Sequence, residues 1–178
     1  MSRAGVLSIV SIALFLTSPL AGRQPDDAAR RGASTRAIDA PAVERILAQV
    51  NRALSPPERK RIAAAVVRYS DKYGLDPALV TAVMLVESSA RPWVRSPKGA
   101  TGLMQVMPHI HAPMQMAGNL ATIESNIEAG CLILAHNIQR LGEEEGVLAY
   151  FWGSDIRGGA YLQRVRAARA DVERRLRL

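Results

Sequence analysis

The sequence predicts an all-α domain. Hydrophobic residues make up 48% of the 178-residue chain and aromatics only 4%. Ala, Val, Leu, Ile and Met must therefore build the interior, which suits packed helices better than a β-sandwich. Apolar residues recur at helical spacing in successive segments, most of them opened by Asp, Ser or Thr. No segment alternates with the period of a half-buried strand, and no internal repeat is visible. The length suits one domain with a real core and not two large ones.

Residues 1–22 read as an export signal. Arg3 supplies the charged start, and Gly5 to Leu16 is an apolar run too short for a comfortable membrane span. Ser18-Pro19-Leu20-Ala21-Gly22 offers small residues for cleavage, and an uncleaved signal would anchor the chain. Residues 23–40 hold only Ile38 as a large apolar side chain and read as a flexible linker. The domain is then expected over residues 41–178.

Asp39 caps a first helix that tolerates Pro41 in its first turn and carries Val43, Ile46, Leu47, Val50 and Leu54 on one face. Ser55-Pro56-Pro57-Glu58 is a capping box opening a second helix, with Ile62, Ala65, Val66, Tyr69 and Tyr73 facing inward and Gly74 as its stop. Asp76-Pro77 opens a third helix of almost wholly apolar residues, which ends in Glu87. Helical spacing puts Glu87 on one stripe with Val80, Val83 and Met84. A carboxylate there is either a general acid at the mouth of a cleft, its pKa raised by burial, or a solvated helix end.

Ser88 to Gly102 is basic and broken by Pro92, Pro97 and Gly99, and Gly102 to Pro108 allows at most a short helix. Thr122 or Ser125 caps the next helix, which carries Ile127, Cys131, Leu134, Ile138 and Leu141. Glu143-Glu144-Glu145 forms the solvated start of a helix running to Trp152, where acidic residues suit the dipole. Tyr161 onward is a last helix with Leu162, Val165, Ala168, Val172 and Leu176 as its stripe and an Arg-rich remainder, expected to be solvated.

Net charge is +7, which favours an anionic partner: nucleic acid, acidic lipid or an anionic wall polymer. The export signal, and the lack of a basic motif interleaved with aromatics, argue against nucleic acid. The lone Cys131 builds neither a disulfide framework nor a structural zinc site. His109-x-His111 has no carboxylate close in sequence and no diagnostic metal spacing, so no metal or cofactor is expected.

Three separated segments belong together: Glu87-Ser88-Ser89, then Ser96 through Gly99-Ala100-Thr101-Gly102-Leu103-Met104-Gln105-Val106-Met107-Pro108, then Asn126-Ile127-x-x-Gly130 with Ala149-Tyr150. In this order they resemble the soluble lytic transglycosylase catalytic domain of the goose-type lysozyme superfamily, over about residues 62–166. The resemblance implies a lysozyme-like helical domain with a saccharide-binding cleft. It implies cleavage of the β-1,4 bond between N-acetylmuramic acid and N-acetylglucosamine in peptidoglycan, leaving a 1,6-anhydro-muramoyl end. It makes Glu87 the catalytic acid and base. Gln105, Met107, Ala149 and Tyr150 match cleft positions that contact sugar, while Ser96 and Asn126 either contact sugar or brace the fold. The implied partner is a peptidoglycan strand in the periplasm or outside the cell, as a housekeeping enzyme or beside a secretion or envelope machine.

The residues themselves support one part of this. Ordinary glycosidases need two carboxylates. No Asp or Glu lies between Glu87 and Gln105, and only Asp155, just beyond Tyr150, is an outside candidate. A reaction whose nucleophile is the substrate's own hydroxyl needs one. The chain also departs from the pattern: the family usually continues Ala-Tyr with Asn-Ala-Gly, and here Phe151-Trp152-Gly153 follows. A goose-type lysozyme hydrolase and a non-catalytic peptidoglycan-binding module therefore remain alternatives.

Overall fold

The computed structural model describes residues 38–114, 116 and 118–177. The signal peptide and most of the linker lie outside them. Seven α-helices account for most of the described chain: α1 Ala40–Val50, α2 Pro56–Tyr73, α3 Pro77–Ser88, α4 Pro108–His111, α5 Ile123–Leu141, α6 Glu143–Trp152 and α7 Ala160–Leu176. A 3-10 turn, Ala112–Met114, extends the short α4. Among the described residues the extended pairings are isolated antiparallel bridges, Arg95 with Thr101 and Thr101 with Val106. No described helix is long and apolar enough to cross a membrane.

The caps follow the sequence closely. Asp39, Asp76 and Thr122 each accept a backbone N–H at the start of α1, α3 and α5. Ser55 and Glu58 close the reciprocal box that opens α2. These bonds satisfy N–H groups that a helix start leaves without partners.

Three expectations are corrected. Helix α1 stops at Val50, so Leu54 is not on its face, although it is buried. Asn51 breaks the helix: its side-chain amide reaches Ala90 O at 3.0 Å, and its Oδ1 accepts Ala53 N–H at 3.1 Å. Ile38 is no linker residue in its packing, because it lies half-buried against the core. Finally, the arginines of α7 are not simply solvated. Arg166 pairs with Glu144, Arg169 with Asp76 and Glu143, and Arg175 with Asp171.

Helix α3 is the pillar of the domain. Every residue from Ala78 to Met84 is buried, so it has no solvent face over those two turns. Helix α7 packs along it, while α5 packs on both α2 and α6. Val80, Val83 and Met84 are fully buried in the main core with Leu103, Ile127, Leu134 and Tyr161. Gly146 permits the close approach of α6 to α5: a Cβ on it would lie 2.6 Å from Ile138 Cα. This packing fixes where the last turn of α3 emerges.

Candidate active site

Glu87 sits on that last turn, half-buried. Burial raises its pKa above the ordinary carboxyl value; a hydrogen bond from Tyr161 and the nearby Arg164 charge pull the other way. The Tyr161 hydroxyl donates to Glu87 Oε1 at 2.5 Å. Burial and the adjoining carboxylate push the Tyr161 hydroxyl far up, so it remains a donor. No other carboxylate is among the groups that shift Glu87. Asp155, the outside candidate for a second acid, is exposed and held by Arg157 at 2.5 Å.

Immediately after Glu87 the chain turns sharply. Ser89 and Ala90 both adopt left-handed backbone, with φ of 52° and 56°. Ala90 is buried and its carbonyl accepts the Asn51 amide, so distant packing holds a turn that L residues rarely adopt.

The Gly-Leu-Met-Gln segment forms a tight loop. Gln105 has φ of 48°, and its Nε2 donates to Gly102 O at 2.9 Å and Val94 O at 3.2 Å. Its amide donors thus shape the loop and leave Oε1 as its free polar atom. Ser96 Oγ accepts the Ala100 N–H at 3.0 Å, closing the turn before it.

Asn126 is corrected as a sugar contact. It is 1% exposed, and both amide protons are donated to backbone, to Thr101 O at 2.8 Å and Leu120 O at 3.1 Å. Its Oδ1 accepts the Met104 N–H at 2.8 Å. With those bonds made inside the fold, it pins the loop to α5 and cannot reach a ligand. Gly102 is required beside it, since a Cβ there would meet Asn126 Nδ2 at 2.4 Å.

A groove of about 690 Å³ opens next to these elements. Met107, Ala149 and Tyr150 are among its lining residues, so the structure brings three of the sequence-derived residues together. Glu87, Gln105 and Ser96 do not line it. Glu87 connects to it through aromatic rings: Tyr161 stacks on Phe151 with centroids 4.7 Å apart, and Phe151 is a groove residue. Trp152 meets Phe151 edge-on at 4.9 Å and is pinned by its Nε1 donating to Gly158 O at 3.2 Å. The Tyr150 hydroxyl donates to Met104 O at 2.6 Å, so its ring rather than its hydroxyl faces the groove.

Sequence reasoning named Tyr161 only as the start of the last helix and missed its bond to Glu87. The two lie 74 positions apart, so spacing carries no signal. The available hint is chemical, because a buried tyrosine hydroxyl needs a partner. Arg164, one turn further along α7, stands 5.5 Å from the Tyr161 ring and 5.9 Å from that of Phe151.

A helical domain with one half-buried carboxylic acid beside an aromatic-walled groove is equipped for acid–base chemistry on an extended ligand. The transglycosylase SLT domain family model matches residues 65–167, more than half of the chain, and the chain belongs to that family. Among curated proteins, a transglycosylase of Enterobacteria phage PRD1 is 38% identical over 87 residues, covering 48% of this chain and 32% of the relative. The membrane-bound lytic murein transglycosylase C of Edwardsiella ictaluri is 50% identical over 44 residues, covering 25% of this chain and 12% of the relative. This chain therefore spans a third or less of the length of either relative. Among solved structures, the 70-kDa soluble lytic transglycosylase of Escherichia coli is 28% identical with a TM-score of 0.45, covering 63% of this chain and 19% of that one.

Proposed function

We propose that this chain is a peptidoglycan lytic transglycosylase that cleaves the β-1,4 bond between N-acetylmuramic acid and N-acetylglucosamine without consuming water. The observation that carries this reading is the solitary Glu87, half-buried, with Tyr161 as its partner and no carboxylate among the groups that perturb it. Burial favours the protonated form of the acid, which gives its proton to the glycosidic oxygen. The resulting carboxylate is stabilised by the Tyr161 hydrogen bond. It then takes the proton of the muramoyl 6-hydroxyl as that oxygen bonds to the anomeric carbon and closes the 1,6-anhydro ring. One proton leaves Glu87 and one returns, and the nucleophile belongs to the sugar. Met107, Ala149 and Tyr150 line the groove and hold the glycan, with Gln105 Oε1 available as an acceptor at the loop. Ser96 acts mainly by shaping that loop.

The expected setting is the periplasm or outside the cell, either as a general wall-remodelling enzyme or opening the wall locally for an envelope machine. Mass analysis of soluble products from purified sacculi tests the reaction. Anhydro-muramoyl ends from the unaltered chain, lost in Glu87→Gln, support it. Reducing ends would instead identify a goose-type hydrolase, and binding without cleavage in both proteins would identify a wall-binding module.

A further inference from the structure

The pair of rings beside Glu87 has a third member. Phe151 and Tyr161 are stacked, with their planes 16° apart. The guanidinium of Arg164 lies 5.5 Å from the Tyr161 ring centroid and 5.9 Å from that of Phe151. Arg164 follows Tyr161 by three positions on α7, so the two project from the same face of that helix. One cation therefore spans both rings within the reach of cation–π attraction. Phe151 is also where this chain departs from the family pattern, which usually has Asn there, so the arrangement depends on that departure.

The ordinary explanation of an exposed arginine is a solvated head whose stem rests on nearby rings. The surroundings of Arg164 argue for more. Arg166, Arg169, Arg174 and Arg175 of the same helix each pair with an acid. Arg164 has no such partner among the described residues, and its charge meets the two rings instead. Glu87 is the lone titratable residue of α3. Tyr161 and Arg164 act on it from α7, and Tyr150 feels its charge from α6. Burial pushes both phenols up, so they stay neutral and Arg164 is the cation of the group.

We propose that Arg164 is a positioning residue: by bridging the Phe151 and Tyr161 rings it keeps the Tyr161 hydroxyl seated on Glu87 while that carboxylate is ionised. The inference rests on the reading of Glu87 as the acid and base. In that reaction the carboxylate must survive between giving one proton and taking the next. Arg164 supports it by two routes. It clamps the ring that carries the donated hydrogen bond, and its own positive charge favours the ionised form. It touches neither the carboxylate nor the groove, so it acts through Tyr161 and not on the sugar.

The test titrates Glu87 itself. Its carboxyl carbon is followed by NMR in the full chain without substrate, the signal being assigned by its loss in Glu87→Gln. Arg164→Gln removes the cation, the carboxylate loses support, and Glu87 holds its proton to higher pH. The expected displacement is about 0.3–0.7 of a pH unit, a change of about twofold to fivefold in the proton equilibrium and the scale of one exposed cation–π contact. Arg164→Lys keeps a cation beside the rings and should leave the titration in place. In a Tyr161→Phe background Arg164→Gln should displace it less, because no hydroxyl remains to be seated. An unmoved titration in Arg164→Gln, an equal displacement in both backgrounds, or a displacement by Arg164→Lys as large as that by Arg164→Gln overturns the proposal. Products from sacculi report separately on the reaction. Anhydro ends with an unmoved titration would sink the role of Arg164 alone, and a moved titration without anhydro ends would sink the transglycosylase reading alone.

Discussion

The hydroxyl of Tyr161, at the start of α7, holds the carboxylate of Glu87, at the end of α3, with a hydrogen bond of 2.5 Å. The bond sets two opposed influences on one acid. Burial favours the protonated form that starts the reaction, and the phenol favours the ionised form that follows it. An acid that must give a proton and then take one back needs both forms within reach.

Replacing Tyr161 with Phe removes the larger of the two influences that lower the Glu87 pKa. The pKa then rises, and the alkaline limb of the pH–rate profile moves to higher pH because the acid stays protonated longer. The maximal rate of sacculus cleavage should fall by about tenfold to a hundredfold, the scale of one lost hydrogen bond to a charged group. A limb that moves down, or an unchanged maximum, contradicts this role.

Phe151→Ala should displace the limb in the opposite direction. The Phe151 ring stacks at 4.7 Å on Tyr161, the hydrogen-bond partner of Glu87. Without it, water approaches the carboxylate, the desolvation that raises its pKa weakens, and the limb moves to lower pH. The same rate profile, recorded beside that of Tyr161→Phe, checks the sign.

Glu87→Gln should stabilise the fold at neutral pH while abolishing cleavage. The folded-state pKa of Glu87 lies above its ordinary value of 4.5. Its contribution to stability is therefore fully present below pH 4.5 and is lost as pH rises through the folded value. Gln bears no such loss. Thermal melting should show a higher Tm for Glu87→Gln at about pH 7, with the gain shrinking as pH falls towards the ordinary carboxyl range. A gain that grows on acidification would refute the assignment of a raised pKa.

Asn126→Ala tests the brace. It leaves the Met104 N–H and the Leu120 carbonyl without their partner and takes one of two donors from the Thr101 carbonyl, which keeps the Val106 N–H at 3.1 Å. The expected loss is about 2–4 kcal/mol in urea unfolding, since unpaired buried groups retain their desolvation penalty. Affinity for glycan in the fraction that remains folded should change little, because Asn126 does not reach the groove.

The motifs around Glu87 are close in sequence and strongly constrained, and their chemistry was legible there. The loop needs Gly102 because Asn126 crowds it, and Gln105 because its amide ties the turn to Gly102 and Val94. A family pattern records such local constraints without saying what each residue does. Asn126 shows the difference: it belongs to the motif, and its place is behind the loop instead of in the groove.

The sequence by itself determined the helical class, the caps of α1, α2, α3 and α5, and Glu87 as the acid to examine. Those features are local: a cap acts over three or four residues, and a buried helix displays its apolar run directly. Only the tertiary structure decided which side chains meet Glu87. Tyr161 and Phe151 arrive from α7 and α6 through the packing of helices far apart in the chain. Helical periodicity states which face of an element is buried, and it carries no information on which other face will be buried against it.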